Sequence, residues 1–320
     1  MRTFVFCILL LPLLLVRVHA QFDAQLSQYM FRPTGFNPAA VGESGMLDVS
    51  GQHRLQWIGM PNGGSTTVFN IHSPIKIANF RQGIGVCFIN DQVGQFVNQT
   101  FHLQYAMKFK IGKGSLSIGP DVGFVSIGIR GDSLRGPHVQ IGDYHDIGSD
   151  PAIPQGYLDG MGLDLGVGGW LTYDDFYLGA SYSHANKPVI EWSETHDFRP
   201  ASTLYFTSGY SFVSYNEKYK FKPSLLLKTD FIMTHLDLST IVLFNDQYWG
   251  GLSYRWNEAV VFLAGLHVGA GFSIGYSFDL PTSQLIRASW GSHEIMLSYM
   301  LDIKTKDSSK RKTYKSVRIL

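Results

Sequence analysis

Gly271-Phe272-Ser273-Ile274-Gly275 has the spacing of a nucleophile elbow, in which a sharp strand-to-helix turn presents a serine hydroxyl for attack on an acyl carbon. Here Ser273 lies within a continuous apolar–polar alternation, one small residue among several on its face, and no helix follows. Gly166-Val167-Gly168-Gly169 has the wrong spacing for a dinucleotide loop and likewise opens no helix. His235 with Asp237, and His102 with Gln104, each place two polar groups on one face of a strand. Neither set reaches the ligand number of a metal site, and an isolated inward histidine is usually a hydrogen-bonded structural residue. His293 and Glu294 are neighbours, so in a strand they point to opposite faces and cannot act as a local acid–base pair. No catalytic residue, metal or cofactor is read from these motifs.

The elements that carry these residues are strands. Between residues 46 and 302 the chain alternates with period two and sustains no helical period. Phe101, Leu103, Tyr105, Met107 and Phe109 share one face of a run whose other face is Thr100, His102, Gln104, Ala106 and Lys108. About fourteen strands are expected, at 46–57, 65–74, 83–90, 98–111, 114–129, 160–171, 174–184, 202–214, 219–230, 232–244, 248–256, 259–268, 270–279 and 292–302. The three long connections, 130–159, 185–201 and 280–291, are all odd-numbered, whereas even-numbered ones such as 111–114, 173–174 and 245–247 are short. A membrane barrel has this asymmetry, with short periplasmic turns and longer outer loops. An even strand number then returns both termini to the periplasmic side.

The chain reaches that compartment through residues 1–20, where Arg2, an apolar run from Phe4 to Val16 and the small residues of Val18-His19-Ala20 form a signal peptide. No later stretch supplies the ~20 apolar residues of a spanning helix, so a membrane location requires strands. Charged residues make up 16% of the chain, below the ~25% usual in soluble domains, which fits a wall facing lipid. A secreted β-sandwich or propeller is the competing reading, but it has no reason to sort long loops by parity, and no repeat of propeller length is present. Cys7 leaves with the signal, so Cys87 has no intramolecular disulfide partner and no lipobox context.

In the first strand Leu47, Val49, Leu55 and Trp57 are expected to face lipid and Asp48, Ser50, Gln52 and Arg54 the lumen, with His53 interrupting the outward row. In the thirteenth, Val268, Ala270, Phe272, Ile274, Tyr276 and Phe278 oppose Gly269, Gly271, Ser273, Gly275 and Ser277, whose small size leaves room for a plug or an open lumen. Trp57, Tyr173, Phe176, Tyr177, Tyr248, Trp249, Tyr254 and Trp256 fit interfacial girdles, against the alternative of plain sheet propensity. Residues 21–45 break the pattern. Phe22, Leu26, Tyr29 and Met30 line one side of a short helix ended by Pro33, before a turn-rich piece, and the segment reads as a periplasmic cap or a barrel plug. Residues 303–320 carry seven Lys or Arg against Asp307, while residues 21–302 hold 17 basic and 24 acidic residues, so the tail is a separate element or a solvated, disordered one. Export removes nucleic acid as its partner and leaves an acidic protein surface or the cell wall.

Gln25-Leu26-Ser27-Gln28-Tyr29-Met30-Phe31-Arg32-Pro33, followed by Asn37-Pro38-Ala39 and Gly42, resembles the opening signature of the PorP/SprF family of type IX secretion system membrane proteins. Arg54-Leu55-Gln56-Trp57 is similar to that family's R-x-Q-W, and Ser292-His293-Glu294-Ile295-Met296-Leu297-Ser298-Tyr299 to its closing strand. Leu26 and Arg32 depart from the family's usual Phe and Asn, and the basic tail extends past its usual end. The resemblance implies a closed antiparallel outer-membrane β-barrel that supports export or surface attachment of cargo bearing C-terminal sorting domains, with gliding adhesins as the cargo of some members. It implies as partners the large translocon barrel, the periplasmic ring lipoprotein and ring protein, and the cargo's sorting domain, alongside outer-membrane lipid. Gln25, Ser27, Gln28, Tyr29, Phe31, Pro33, Asn37, Pro38, Gly42, Arg54, Gln56, Trp57, Ser292, His293 and Glu294 are the motif positions and the candidate partner-binding residues. A plugged channel for hydrophobic or small solutes and a lipid-modifying barrel enzyme are the competing functions. The organisation expected is signal peptide 1–20, N-terminal segment 21–45, barrel 46–302 and tail 303–320.

Overall fold

The computed structural model describes residues 23–77, 80–130, 156–193, 196–269 and 271–303. The expected signal peptide and nearly all of the basic tail lie outside these residues. Fifteen strand segments form one continuous sheet, and two of them, Thr203–Tyr210 and Phe212–Val213, are a single strand interrupted at Ser211. The barrel thus has fourteen antiparallel strands. They are β1 Leu47–Leu55, β2 Ser65–Ile77, β3 Phe80–Val93, β4 Phe96–Ile111, β5 Gly114–Arg130, β6 Tyr157–Tyr173 and β7 Phe176–Ser183. The interrupted pair is β8, followed by β9 Tyr219–Thr229, β10 Thr234–Phe244, β11 Tyr248–Arg255, β12 Ala259–Val268, β13 Phe272–Pro281 and β14 Ser292–Leu301. Each strand pairs with its neighbours in sequence, and β1 closes the ring on β14 from Leu47↔Leu301 to Leu55↔His293.

The alternation sets the two faces of the wall. Asp48, Ser50, Gln52 and Arg54 are buried in the interior, whereas Val49 and Leu55 are exposed on the outside. Phe101, Leu103, Met107 and Phe109 are exposed on the outside of β4 in the same way. His53 also faces outward, two residues from the end of β1, where its Nδ1 meets Thr67 Oγ1 at 2.9 Å. All of the long connections leave from one rim, together with the short turns 94–95 and 256–258, and the other rim, where β1 begins and β14 ends, has short turns alone. No helix among the described residues is long and apolar enough to cross a membrane.

Three expectations need correction. Residues 23–45 hold three short 3-10 turns, Tyr29–Phe31, Pro33–Gly35 and Pro38–Ala40, instead of an amphipathic helix. A run of so few residues before Pro33 is too short to hold a helix by itself, and the wall takes the Ser27 and Gln28 N–H groups through Glu294. Trp57 does not end the lipid face of β1: the strand stops at Leu55, and Trp57 lies in the following loop at φ 53. Trp249 and Tyr177 are buried in the interior, so of the aromatics expected at the girdles only Tyr173, Tyr248, Tyr254 and Trp256 are exposed there.

The rims assign the topology. A cysteine introduced at Asn62 is expected to react with an impermeant thiol reagent on intact cells, and one at Lys113 only after the outer membrane is opened. Cys87 is buried and contributes little background. The opposite labelling pattern would invert the barrel.

Candidate functional site

The inward positions near the long-loop rim bring two arginines among four acids. Arg54 of β1 reaches Asp279 of β13 at 2.8 Å and Glu294 of β14 at 3.7 Å. Arg255, the last residue of β11, reaches Asp237 of β10 at 2.9 Å, Asp279 at 3.0 Å and Glu258 at 3.4 Å. Buried charges are tolerated only when paired and fully hydrogen-bonded, and the remaining acceptors here are met by the N-terminal segment. The backbone N–H groups of Ser27 and Gln28 donate to the two oxygens of Glu294 at 2.7 and 3.0 Å. The Ser27 hydroxyl donates to Asp279 and accepts from Arg54 at 2.8 Å and Arg255 at 3.1 Å, which uses its one proton and both lone pairs. Gln25 Nε2 donates to Asp237 at 2.9 Å.

From this cluster the segment descends through the lumen and crosses it. Tyr29 Oη lies 3.1 Å from Ser224 of β9, and the Phe31 ring meets Trp249 of β11 with centroids 4.4 Å apart. Burial of Tyr29, Met30 and Phe31 stabilises the docked state by about 1.5–3 kcal/mol for each side chain. Arg32 pairs with Asp48 at 3.1 Å. Asn37 caps the Pro38–Ala40 turn by accepting from Ala39 N, and its Nδ2 donates to the carbonyls of Gly169 and Ala180 on β6 and β7. Beyond it Glu43 contacts Lys108 and Thr172. The wall leaves room with glycines: a Cβ on Gly83 would lie 2.1 Å from Val41 O, one on Gly168 2.1 Å from Asn37 Oδ1, and one on Gly275 2.3 Å from Gln28 Oε1. Gly42 has φ +69, which lets the chain turn out toward β1.

The motif positions at the two chain ends are therefore brought together, but inside the barrel. Gln25, Ser27, Gln28, Tyr29, Phe31, Asn37, Pro38, Gly42, Arg54 and Glu294 line or fill the lumen, and Pro33 opens the second 3-10 turn. Gln56, Trp57, Ser292 and His293 sit at the long-loop rim. Gln56 N bonds Gly64 O, Trp57 N bonds Ser292 Oγ at 3.1 Å, and His293 faces outward against Tyr276 Oη at 2.6 Å. Buried as they are, the lumen positions offer no surface to another protein in this state. Sequence reasoning missed Asp23, Arg255 and Asp279, whose only signal is a charge on the inner face of a strand or next to the motif.

A second chain of charges runs across the lumen to the start of the segment. Asp121 of β5 lies 3.7 Å from His102 Nδ1, and His102 Nε2 lies 3.4 Å from Asp164 of β6. Asp164 is 2.9 Å from His184 Nδ1, and His184 Nε2 is 3.0 Å from Asp23. Tyr205 Oη donates to Asp23 at 2.6 Å, and Lys228 Nζ donates to the Asp23 carbonyl at 2.7 Å. Burial by itself raises the Asp23 carboxyl, but His184, Lys228 and the Tyr205 hydrogen bond outweigh it and hold the group well below the usual carboxylate range. Burial by itself lowers His184, yet Asp23 and Asp164 raise it to about 10. A cavity of about 80 Å3 lies beside this chain, bordered by Cys87 and His102.

The reactive-looking motifs have ordinary surroundings. Gly271 lies in the turn before β13, and Ser273 Oγ meets His267 Nδ1 at 2.7 Å, a pairing the sequence did not disclose. Among the described residues no acid orients His267 and its Nε2 has no hydrogen-bond partner. Ser273, the second residue of β13, is paired with His267 and Ser298 on either side and leads into a strand instead of a helix. His235 faces Glu258 at 3.3 Å while Asp237 is taken by Arg255 and Gln25, so the two do not form a joint site. Gln104 donates to Thr34 O. Among the described residues no three of His, Cys, Asp and Glu converge as a metal-ligand set.

The family model described as type IX secretion system membrane protein PorP/SprF matches residues 18–299. No curated protein matches the chain. Among solved structures, the toluene transporter TbuX of Ralstonia pickettii is similar at 11% identity, with 89% of this chain and 96% of that one covered and a TM-score of 0.47. The monoaromatic hydrocarbon channel CymD is similar at 10% identity over 89% and 95%, with a TM-score of 0.49. The outer membrane protein Omp33 of Acinetobacter baumannii is similar at 6% identity over 80% and 98%, with a TM-score of 0.47.

Two outcomes test the docking. Gly168→Val places a side chain where Asn37 sits and is expected to weaken docking by about 1–3 kcal/mol, read as faster proteolysis within residues 23–45 of the folded barrel. Unchanged proteolysis would show that the fit at Gly168 does not matter. The ion pair gives a pH signature. The raised His184 contributes its full stabilisation below its ordinary 6.5 and loses it as pH rises toward about 10, while the depressed Asp23 loses its contribution only as pH falls below its ordinary 3.8. A spin label at Ala24, with Cys87 replaced, is expected to be most immobile between about pH 4 and 6.5 and to loosen progressively toward pH 10. Mobility flat from pH 6.5 to 11 would remove His184 from the latch.

Proposed function

The chain belongs to the PorP/SprF family of type IX secretion system membrane proteins, and on that premise we propose that this outer-membrane barrel supports export or surface attachment of cargo with C-terminal sorting domains, gliding adhesins included. The observation that carries the reading is the family match over nearly the whole mature chain, joined to the convergence of its opening and closing motifs on one buried cluster. The protein works with the secretion machinery, and its specific partners in this reading are the translocon barrel, the periplasmic ring lipoprotein and ring protein, and the cargo's sorting domain.

The contacts would be made by the rims and the outer wall, because most of the motif residues are turned inward. The role in this reading is one of adaptor and not enzyme, since Ser273 meets His267 with no acid behind it among the described residues. A channel for hydrophobic compounds draws no support from a lumen whose buried wall carries Asp48, Gln52, Asp164, Lys228 and Asp279.

Deleting the gene is expected to leave sorting-domain cargo in the periplasm or degraded, with display restored by a plasmid copy. Fractionation and surface labelling of that cargo decide the matter. Normal display of all such cargo in the deletion strain would overturn the assignment.

A further inference from the structure

We propose that residues 23–45 are a releasable plug: the structure holds the closed state, and withdrawal of the segment toward the short-turn rim opens a water-filled path through the barrel. This stands apart from the secretion role and does not depend on it. The first support is that the segment takes no part in the ladder. Among the described residues no backbone-to-backbone hydrogen bond joins it to a strand, and the ring is closed by β1 on β14 without it. It can leave without opening the barrel.

The second support is the chemistry of its attachments. At the cluster of Arg54, Arg255, Asp237, Asp279 and Glu294 the segment contributes only uncharged groups, the amides of Ser27, Gln28 and Gln25 and the hydroxyl of Ser27. Each charged wall group there keeps an ion partner on the wall when the segment goes, and incoming water replaces neutral donors at small cost. Two of the charged attachments have wall neighbours as well, Asp48 with His72 at 3.7 Å beside Arg32 and His184 with Asp164 at 2.9 Å beside Asp23. Lys108 and Lys228, which bond Glu43, Asp23 and Gln25 of the segment, are met by water in the opened path. The third support is connectivity. The segment runs into the barrel wall through Met46 at the short-turn rim and its described start, Asp23, lies toward the other rim, so once the expected signal peptide is cleaved its leading end can be drawn through the lumen. The emptied wall is polar, and fourteen strands fall between small barrels filled by side chains and the sixteen-stranded porins that hold an aqueous channel.

Conductance of the purified full chain in planar lipid bilayers tests this, with folding checked for every variant by heat-modifiable migration. The full chain is expected to be nearly silent. Deletion of residues 24–41 is expected to raise the time-averaged current at least tenfold, and Gly168→Leu or Ser27→Ala, which weaken docking in an otherwise complete chain, to raise it partway. If the deletion variant does not fold, the two substitutions carry the test. Folded variants as silent as the full chain would overturn the proposal, and so would a full chain that conducts as freely as the deletion variant. No cargo is present in this measurement, so its outcome is independent of the secretion assignment.

Discussion

Every peptide group that passes through hydrocarbon must be hydrogen-bonded within the protein, and a sheet meets that requirement only by closing on itself. The pairing of β1 with β14 is the step that closes it. Because the side-chain period is two, closure sends half of each strand inward, out of reach of lipid. Polar and charged residues can then be carried at positions such as Asp48, Gln52, Asp164 and Asp279 without facing the membrane. The lumen is in this sense a product of closure, and the interior chemistry follows from it.

Enclosed charge has to be balanced over short distances. Arg54 and Arg255 sit among Asp237, Asp279 and Glu294, acids in excess of bases, and Ser27 meets the residual demand with a hydroxyl that donates once and accepts twice. An alanine there would leave two guanidinium groups and a carboxylate each short of a partner, and an aspartate would add charge to an acidic site. Glu294 differs in kind: its two oxygens take two successive main-chain N–H groups, so it recognises the turning backbone at Ser27 and Gln28 more than their side chains. One residue on the last strand thus fixes the height at which the N-terminal segment sits.

The segment and the wall are matched by subtraction as much as by addition. Gly83, Gly168 and Gly275 face the lumen where the segment presents Val41, Asn37 and Gln28, and a Cβ at any of the three would collide with it. The small residues on the inner face of β13 therefore mark a tightly occupied lumen. The Ile190–Ser193 and His196–Phe198 hairpin packs Ile190, Trp192 and Phe198 in one apolar cluster with Val125 and Ile127.

Alternation determined that this chain is built of two-faced strands, about how many there are and which side chains face in, and loop parity with the secretory signal determined that they form a barrel and not a sandwich. Period two is a local property, and a slip by one residue would turn every apolar side chain into the lumen, so β5 and β14 end where the pattern ends. Loop parity determined which rim is which, since each connection is local as well. Where the pattern depended on its surroundings, it misled. Tyr29 and Met30 read as a helix face because an apolar cluster at helical spacing does not reveal that a sheet will wrap it, and Trp249 and Tyr177 read as lipid-facing because an aromatic suits either solvent. The motifs at the two ends were legible as motifs, yet that Ser27, Arg54, Arg255, Asp279 and Glu294 form one cluster was not. Their meeting depends on closure, which brings the first and last strands together from opposite ends of the chain, and no local pattern encodes a contact that only the closed ring creates.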